Sequence, residues 1–250
     1  MSFILIAVLL AILSFLNILA PVSGSATVTP LLAALVGGKD AVAVASLYFL
    51  LNGIPRVFLF RKYIRWDIVR ILLPVSIIGA IIGGLFFVNI NGTIVTVIIF
   101  CFLLWFLYQK IVSVLLTKHH KDKKPTKHGI LFVGLFSGAL QGTGLAGSDL
   151  RNGYLLSRGL SIPVLQGTTA LVGISNFLFA SAVRVYSGEL TWAVAAPVLA
   201  IFPLLIIATY IGRHITLKLS TEWQGRLGLI VMLIAVVILS INLANELFRF

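Results

Sequence analysis

The sequence predicts an all-α fold: a polytopic transmembrane helical bundle of about eight spans, built as two four-helix repeats with interrupted or re-entrant segments. Three observations predict it: composition, the placement of the charges, and an internal repeat. Of the 250 residues, 60% are hydrophobic and 10% charged, and the mean hydropathy is +1.11. A soluble domain carries about 25% charged residues. This chain therefore lacks the polar side chains to cover a water-facing surface, and it is too apolar for a disordered one. A membrane β-barrel would alternate apolar and polar residues along its strands, whereas here the apolar residues run continuously.

The charges divide the chain. None occurs at 1–38, 41–55, 71–109, 129–148, 159–183, 190–212 or 227–245. A spanning helix needs about 20 apolar residues, and the 71–109 stretch is nearly twice that. It breaks at Asn89, Ile90, Asn91 and Gly92, a turn signal. The expected spans are about 3–20, 41–60, 68–88, 93–116, 129–145, 164–185, 191–212 and 226–247. The first has no basic n-region and is read as a span, not a cleaved signal.

Orientation follows lysine and arginine, which stay in the cytoplasm. Arg61, Lys62, Arg65 and Arg70 follow the second span, and five lysines fall in 117–128 after the fourth. With eight crossings these loops share a side with both chain ends. The expectation is a multi-pass protein of the inner (plasma) membrane with both termini cytoplasmic. The basic loop fixes orientation; no nucleic-acid partner is expected, and the lipid bilayer is the surrounding partner. Cys101 is the single cysteine and is read as a packing residue. The sequence contains no P-loop, dinucleotide fingerprint or zinc cluster, so no cofactor is expected. It places no paired acid–base or Ser–His constellation inside a span, so no enzyme is expected either.

A shift of 124 positions aligns the two halves. Asn17 falls on Gln141, the break at 23–25 on 147–149, and Asn52 on Asn176. The organisation is then a first repeat at 1–116, a basic cytoplasmic linker at 117–128, and a second repeat at 129–250. Four crossings per half make the repeats parallel, unless a half-crossing is hidden in each. Each half carries an interruption at the same place. One is the Pro/Gly-containing stretch 19–27. The other reads Gly-Thr-Gly-Leu-Ala-Gly-Ser-Asp at 142–149. The apolar runs that follow, 28–36 and 150–156, are too short to cross a bilayer. They are either half-helices dipping into the membrane or surface loops. Paired breaks of this kind point to a transport site, and a half-helix beginning at depth offers unpaired N–H groups to an anion.

Several segments together resemble the sulfite exporter TauE/SafE family of bacterial permeases. These are Thr29-Pro30-Leu31-Leu32 after the first break, Phe136-Ser137-Gly138-Ala139-Leu140, Gln166-Gly167-Thr168-Thr169-Ala170, Ile174-Ser175-Asn176, Gly188-Glu189-Leu190-Thr191-Trp192 and Ile211-Gly212-Arg213. The resemblance implies transport of small sulfur-containing oxyanions, organosulfonates or other organic acids. The family often has runs of consecutive glycines at the breaks, where this chain carries side chains.

The expected function is a secondary transporter (permease or exporter) for small anions working by alternating access. The alternative is a non-transport membrane assembly or scaffold subunit. Candidate substrate-binding residues are Ser23, Gly24, Ser25 and Thr27 at the first break, and Gly147, Ser148 and Arg151 at the second. Asn52, Arg56, Thr168, Thr169 and Asn176 are candidates within the spans. Arg56 either meets the substrate or snorkels to the interface. Arg151 either meets the anion or pairs with Asp149, which is the candidate proton-coupling residue. Asn52 and Asn176 either donate to an oxyanion or bond between helices.

Overall fold

A computed structural model describes residues 3–19, 24–115, 125–145, 147–216 and 218–247. Among these residues there is no strand, and eleven α-helices follow one another. They are α1 (Phe3–Leu19), α2 (Gly24–Val36), α3 (Gly38–Phe60), α4 (Trp66–Val88), α5 (Gly92–Leu115), α6 (Lys127–Gly142), α7 (Gly147–Ser157), α8 (Ile162–Tyr186), α9 (Trp192–Ala200), α10 (Phe202–Thr216) and α11 (Thr221–Leu247).

Five helices are long and apolar enough to cross a membrane: α3, α4, α5, α8 and α11. The α9–α10 pair, bent by 43° beside Pro197, makes a sixth. The count differs from eight because the expected spans 3–20 and 129–145 each turn back. Ser14 donates to Asn52 Oδ1 (2.8 Å), and Thr216 donates to the Ile18 carbonyl (3.0 Å). These bonds set α1 parallel to α3 and α10. After the first break α2 runs the other way, ending where α3 begins. In the second half α6 runs parallel to α4, and Gly138 and Gly142 pack on the backbones of Ser76 and Ala80. After the second break α7 returns, bringing Tyr154 against Gly129 near the start of α6. At 1.5 Å per residue α2 and α7 are about 20 and 16 Å long, too short for a hydrocarbon core of about 30 Å.

Each half is therefore a helical hairpin followed by three crossings. That odd number makes the halves run in opposite directions, not parallel. One face gathers the end of α3, the starts of α4, α6 and α8, and the end of α10, where Arg213 lies over the Phe60 ring (5.8 Å). The other face gathers the start of α3, the end of α4 and the α8–α9 turn. Lys39 ties these together by a bond to the Val88 carbonyl (2.9 Å) and a contact to Glu189 (3.6 Å). The start of α1 and the end of α11 lie on this second face. The start of α1 and the end of α11 thus do not share the face of Arg61 and Lys127, as eight crossings would require.

Two glycines make the turns possible. Gly37 (φ 86°) separates α2 from α3, and Gly144 (φ 77°) separates α6 from α7, in a backbone region L-residues avoid. At Gly144 a Cβ would also strike Val42. The main apolar core lies between α2, α3 and α5 and is closed by α1, α9, α10 and α11. Large side chains such as Phe86, Trp105, Phe132 and Ile234 cover the outer surface, as lipid contact requires. Cys101, expected to pack inside, faces outward.

Candidate functional site

The hairpin tips meet. Asp149, in the first turn of α7, accepts a hydrogen bond from the backbone N–H of Ala26 in the first turn of α2 (Oδ2, 2.9 Å). Residues 123 positions apart in sequence are thus joined where the two chain breaks face each other. The contact also changes the role expected of the first break: the positive end of α2 is capped by the protein's own carboxylate, not held open for a ligand. Thr29 on α2 donates to the Gly144 carbonyl (2.9 Å) and ties the tips a second time.

Beside this junction lies a cavity of about 60 Å³, walled by α1, α3, α6, α7 and α8. A single water needs about 10–15 Å³ of such space, so the cavity suits a solute of a few heavy atoms. Its walls are unusual for their donors. Arg56 Nε and Nη2, Arg151 Nε, Gln141 Nε2 and Gln166 Nε2 are buried and have no hydrogen-bond partner among the described residues. All five atoms are N–H donors. No carboxylate lines the cavity among the described residues.

The surrounding bonds fix these donors. Gln141 Oε1 accepts from Arg151 Nη1 (3.1 Å) and from Asn176 Nδ2 (2.6 Å). With two donors on the oxygen, the amide cannot flip, and its nitrogen must point the other way. Arg151 also donates to the Thr169 carbonyl (3.2 Å), so its fork is held and Nε alone is left over. Arg151 is 1% exposed, with Asp149 two residues away as its electrostatic partner outside the cavity, and burying a guanidinium costs several kcal/mol. A negative charge entering the cavity would offset that cost. On the side away from Arg56, Phe49 and Phe177 stack with centroids 5.0 Å apart and form an apolar floor.

The expected site residues divide. Asn52, Arg56, Ser148, Arg151 and Thr169 line the cavity. Asn176 does not: its oxygen accepts from Ser76 (3.0 Å) and its nitrogen is spent on Gln141, so it bridges α4, α6 and α8. Thr168 accepts from the Arg65 N–H (3.0 Å) near the basic face. Gly147 packs on α6 at Ser137 and Gln141, and Thr27 is buried on α2; neither lines the cavity. Gly24 and Ser25 begin α2, and Ser23 lies outside the described residues. Arg56 turns inward, with two nitrogens buried at the wall. Asn17, Gln141 and Gln166 also line the cavity but were not expected there. The repeat alignment held the available signal, since it places Asn17 on Gln141.

The α7 helix separates two environments. Ser148, Arg151 and Asn152 face the donor-lined cavity. Asp149, Leu150, Gly153 and Tyr154 face a mainly apolar space of about 430 Å³ between α5, α6, α7 and α11.

An all-helical bundle of apolar spans, with helical hairpins meeting beside an interior cavity of cations and amide donors, defines a membrane permease for an anion. The sequence model of one family, sulfite exporter TauE/SafE, matches residues 4–240, and the chain belongs to that family. No curated protein and no solved structure matches the chain.

Proposed function

We propose that this permease moves a compact oxyanion across the cell membrane by alternating access, binding it between Arg56 and Arg151. The carrying observation is the set of five partnerless buried N–H donors around a cavity of about 60 Å³. Two guanidiniums without a facing carboxylate favour a dianion over a monoanion. The volume favours sulfite-sized solutes over organosulfonates, whose carbon chains need more room. A hydrogen bond to a charged group contributes about 1.5–3 kcal/mol, so several are needed to replace the water an oxyanion loses.

The two repeats, 1–116 and 129–250, are inverted copies joined by the linker 117–128. Inversion gives each its equivalent state with the access side exchanged. The basic face is cytoplasmic by the positive-inside rule, which puts both termini on the outer side. Arg158, Arg213, Lys218 and Arg226 then join the inner loops, and only Lys39 and Arg184 of the described cations are left at the outer face. This bias is stronger than eight crossings would give.

Asp149 carries the coupling proton. Its carboxylate holds the N-terminus of α2, and protonation removes the charge that this positive end attracts. The hairpin tips then loosen together.

Flux into liposomes tests the reading. Sulfite should accumulate, taurine should not, and Arg151→Gln should abolish sulfite flux in protein that still elutes as one peak. Equal flux of sulfite and taurine would contradict the compact-oxyanion reading. In Asp149→Asn, sulfite flux should persist but lose its dependence on a pH gradient.

A further inference from the structure

A second cavity, of about 740 Å³, opens on the basic face between the starts of α4 and α6 and the α7–α8 turn. It lies within the roughly 300–1,000 Å³ that accommodates organic molecules, far above the few-atom space of the central cavity. Its rim carries Arg65, Lys127 and Arg158 against a single carboxylate, Asp67. Arg65 holds that carboxylate through two bonds (2.8 and 2.6 Å). Lys127 and Arg158 have no ion pair among the described residues; Arg158 lies over the Tyr154 ring at 5.2 Å. Below the rim the floor is apolar, formed by Ile68, Ile130 and Val164. Trp66, beside Arg65, is 56% exposed. Exposed tryptophans next to a span mark the headgroup level of a bilayer.

We propose that this groove binds an anionic phospholipid from the leaflet at the basic face, phosphate against Lys127 and Arg158 and acyl chain over the isoleucine floor. Charge complementarity selects the headgroup: two uncompensated cations at the membrane surface attract an anionic lipid and give a zwitterionic one no advantage. The apolar floor distinguishes a lipid from a soluble phosphate, which would leave it exposed. The groove is bounded by both the α6–α7 hairpin and the α4–α8 scaffold, so the bound lipid bridges them. The proposal does not depend on which anion the central cavity takes.

Native mass spectrometry of the delipidated full chain tests it, with phosphatidylglycerol and phosphatidylcholine as probes. Phosphatidylglycerol should be retained at least tenfold better. The double variant Lys127→Gln/Arg158→Gln should lose that preference, while Arg226→Gln, on the same face but paired to Glu222, should keep it. If the double variant does not fold, Lys127→Gln alone decides, because Lys127 is exposed: a loss of about threefold or more supports the groove, and none overturns it. Equal retention of the two lipids by the wild type would also overturn it. So would full displacement of phosphatidylglycerol by equimolar glycerol phosphate, which would indicate a soluble-anion site.

Discussion

At the scale of single residues, an amide's role depends on where its bonds go. Asn176 spends its side chain on Ser76 and Gln141, whereas Gln166 Nε2 is buried without a partner. Asn176→Leu should therefore lower the melting temperature, by a loss of about 1–3 kcal/mol for a buried polar network. Gln166→Leu should leave it unchanged or raise it, because it removes an unsatisfied donor. For anion binding the order reverses: Gln166→Leu should weaken affinity by about tenfold or more. Thermal denaturation and ligand titration on the two variants check both halves of this expectation. Arg151→Lys keeps the charge but loses the fork that holds Gln141 and Thr169, and should raise KM for transport by about tenfold or more. Arg56 and Asn52 were candidates because polar residues inside apolar spans stand out, and Arg151 because it flanks the second break; all three line the cavity. Sequence reading chose Asn176 and passed over Gln166, since which of the two faces the cavity depends on the rotation of α8 against α4 and α6. No spacing within one helix encodes this.

At the scale of elements, both breaks were legible from their glycines and from Pro21, and so were the short runs after them. What was not legible is that the preceding helices turn back. At 17 and 16 residues, α1 and α6 are close to spanning length, and composition cannot distinguish a crossing from a hairpin arm. The decisive features are tertiary. α6 lies so close along α4 that Cβ atoms at Gly79, Gly83, Gly138 and Gly142 would strike backbone. Gly138→Leu should therefore prevent accumulation of folded protein, seen as loss of the monodisperse peak in size exclusion. Gly144→Ala should cost about 1–3 kcal/mol from its positive φ alone, more with the Val42 contact. Gly153 is a contrast in the same region: it sits mid-helix in α7 with open space around its would-be Cβ. Gly153→Ala should be neutral or stabilise by about 0.5–1 kcal/mol. Thermal shift of Gly144→Ala and Gly153→Ala against the wild type would show the order.

At the scale of the whole molecule, the 124-position shift suggests a repeat but carries no information on its sense. Parity decides the sense: a hairpin and three crossings per half invert the second copy, whereas four crossings would not. The proposed orientation puts both chain ends on the outer side. An epitope at either terminus should be reached by antibody in intact spheroplasts, and a single cysteine at position 62 should be shielded from impermeant thiol reagents. On the proposed function, the space between Arg56 and Arg151 holds the transported oxyanion. Selenite has the shape and charge of sulfite and scatters anomalously, so crystals grown with it give the most direct measurement. One strong anomalous peak is expected within hydrogen-bond distance of Arg56, Gln141, Arg151 and Gln166. An empty cavity at saturating selenite, with protein that still transports sulfite, would contradict it.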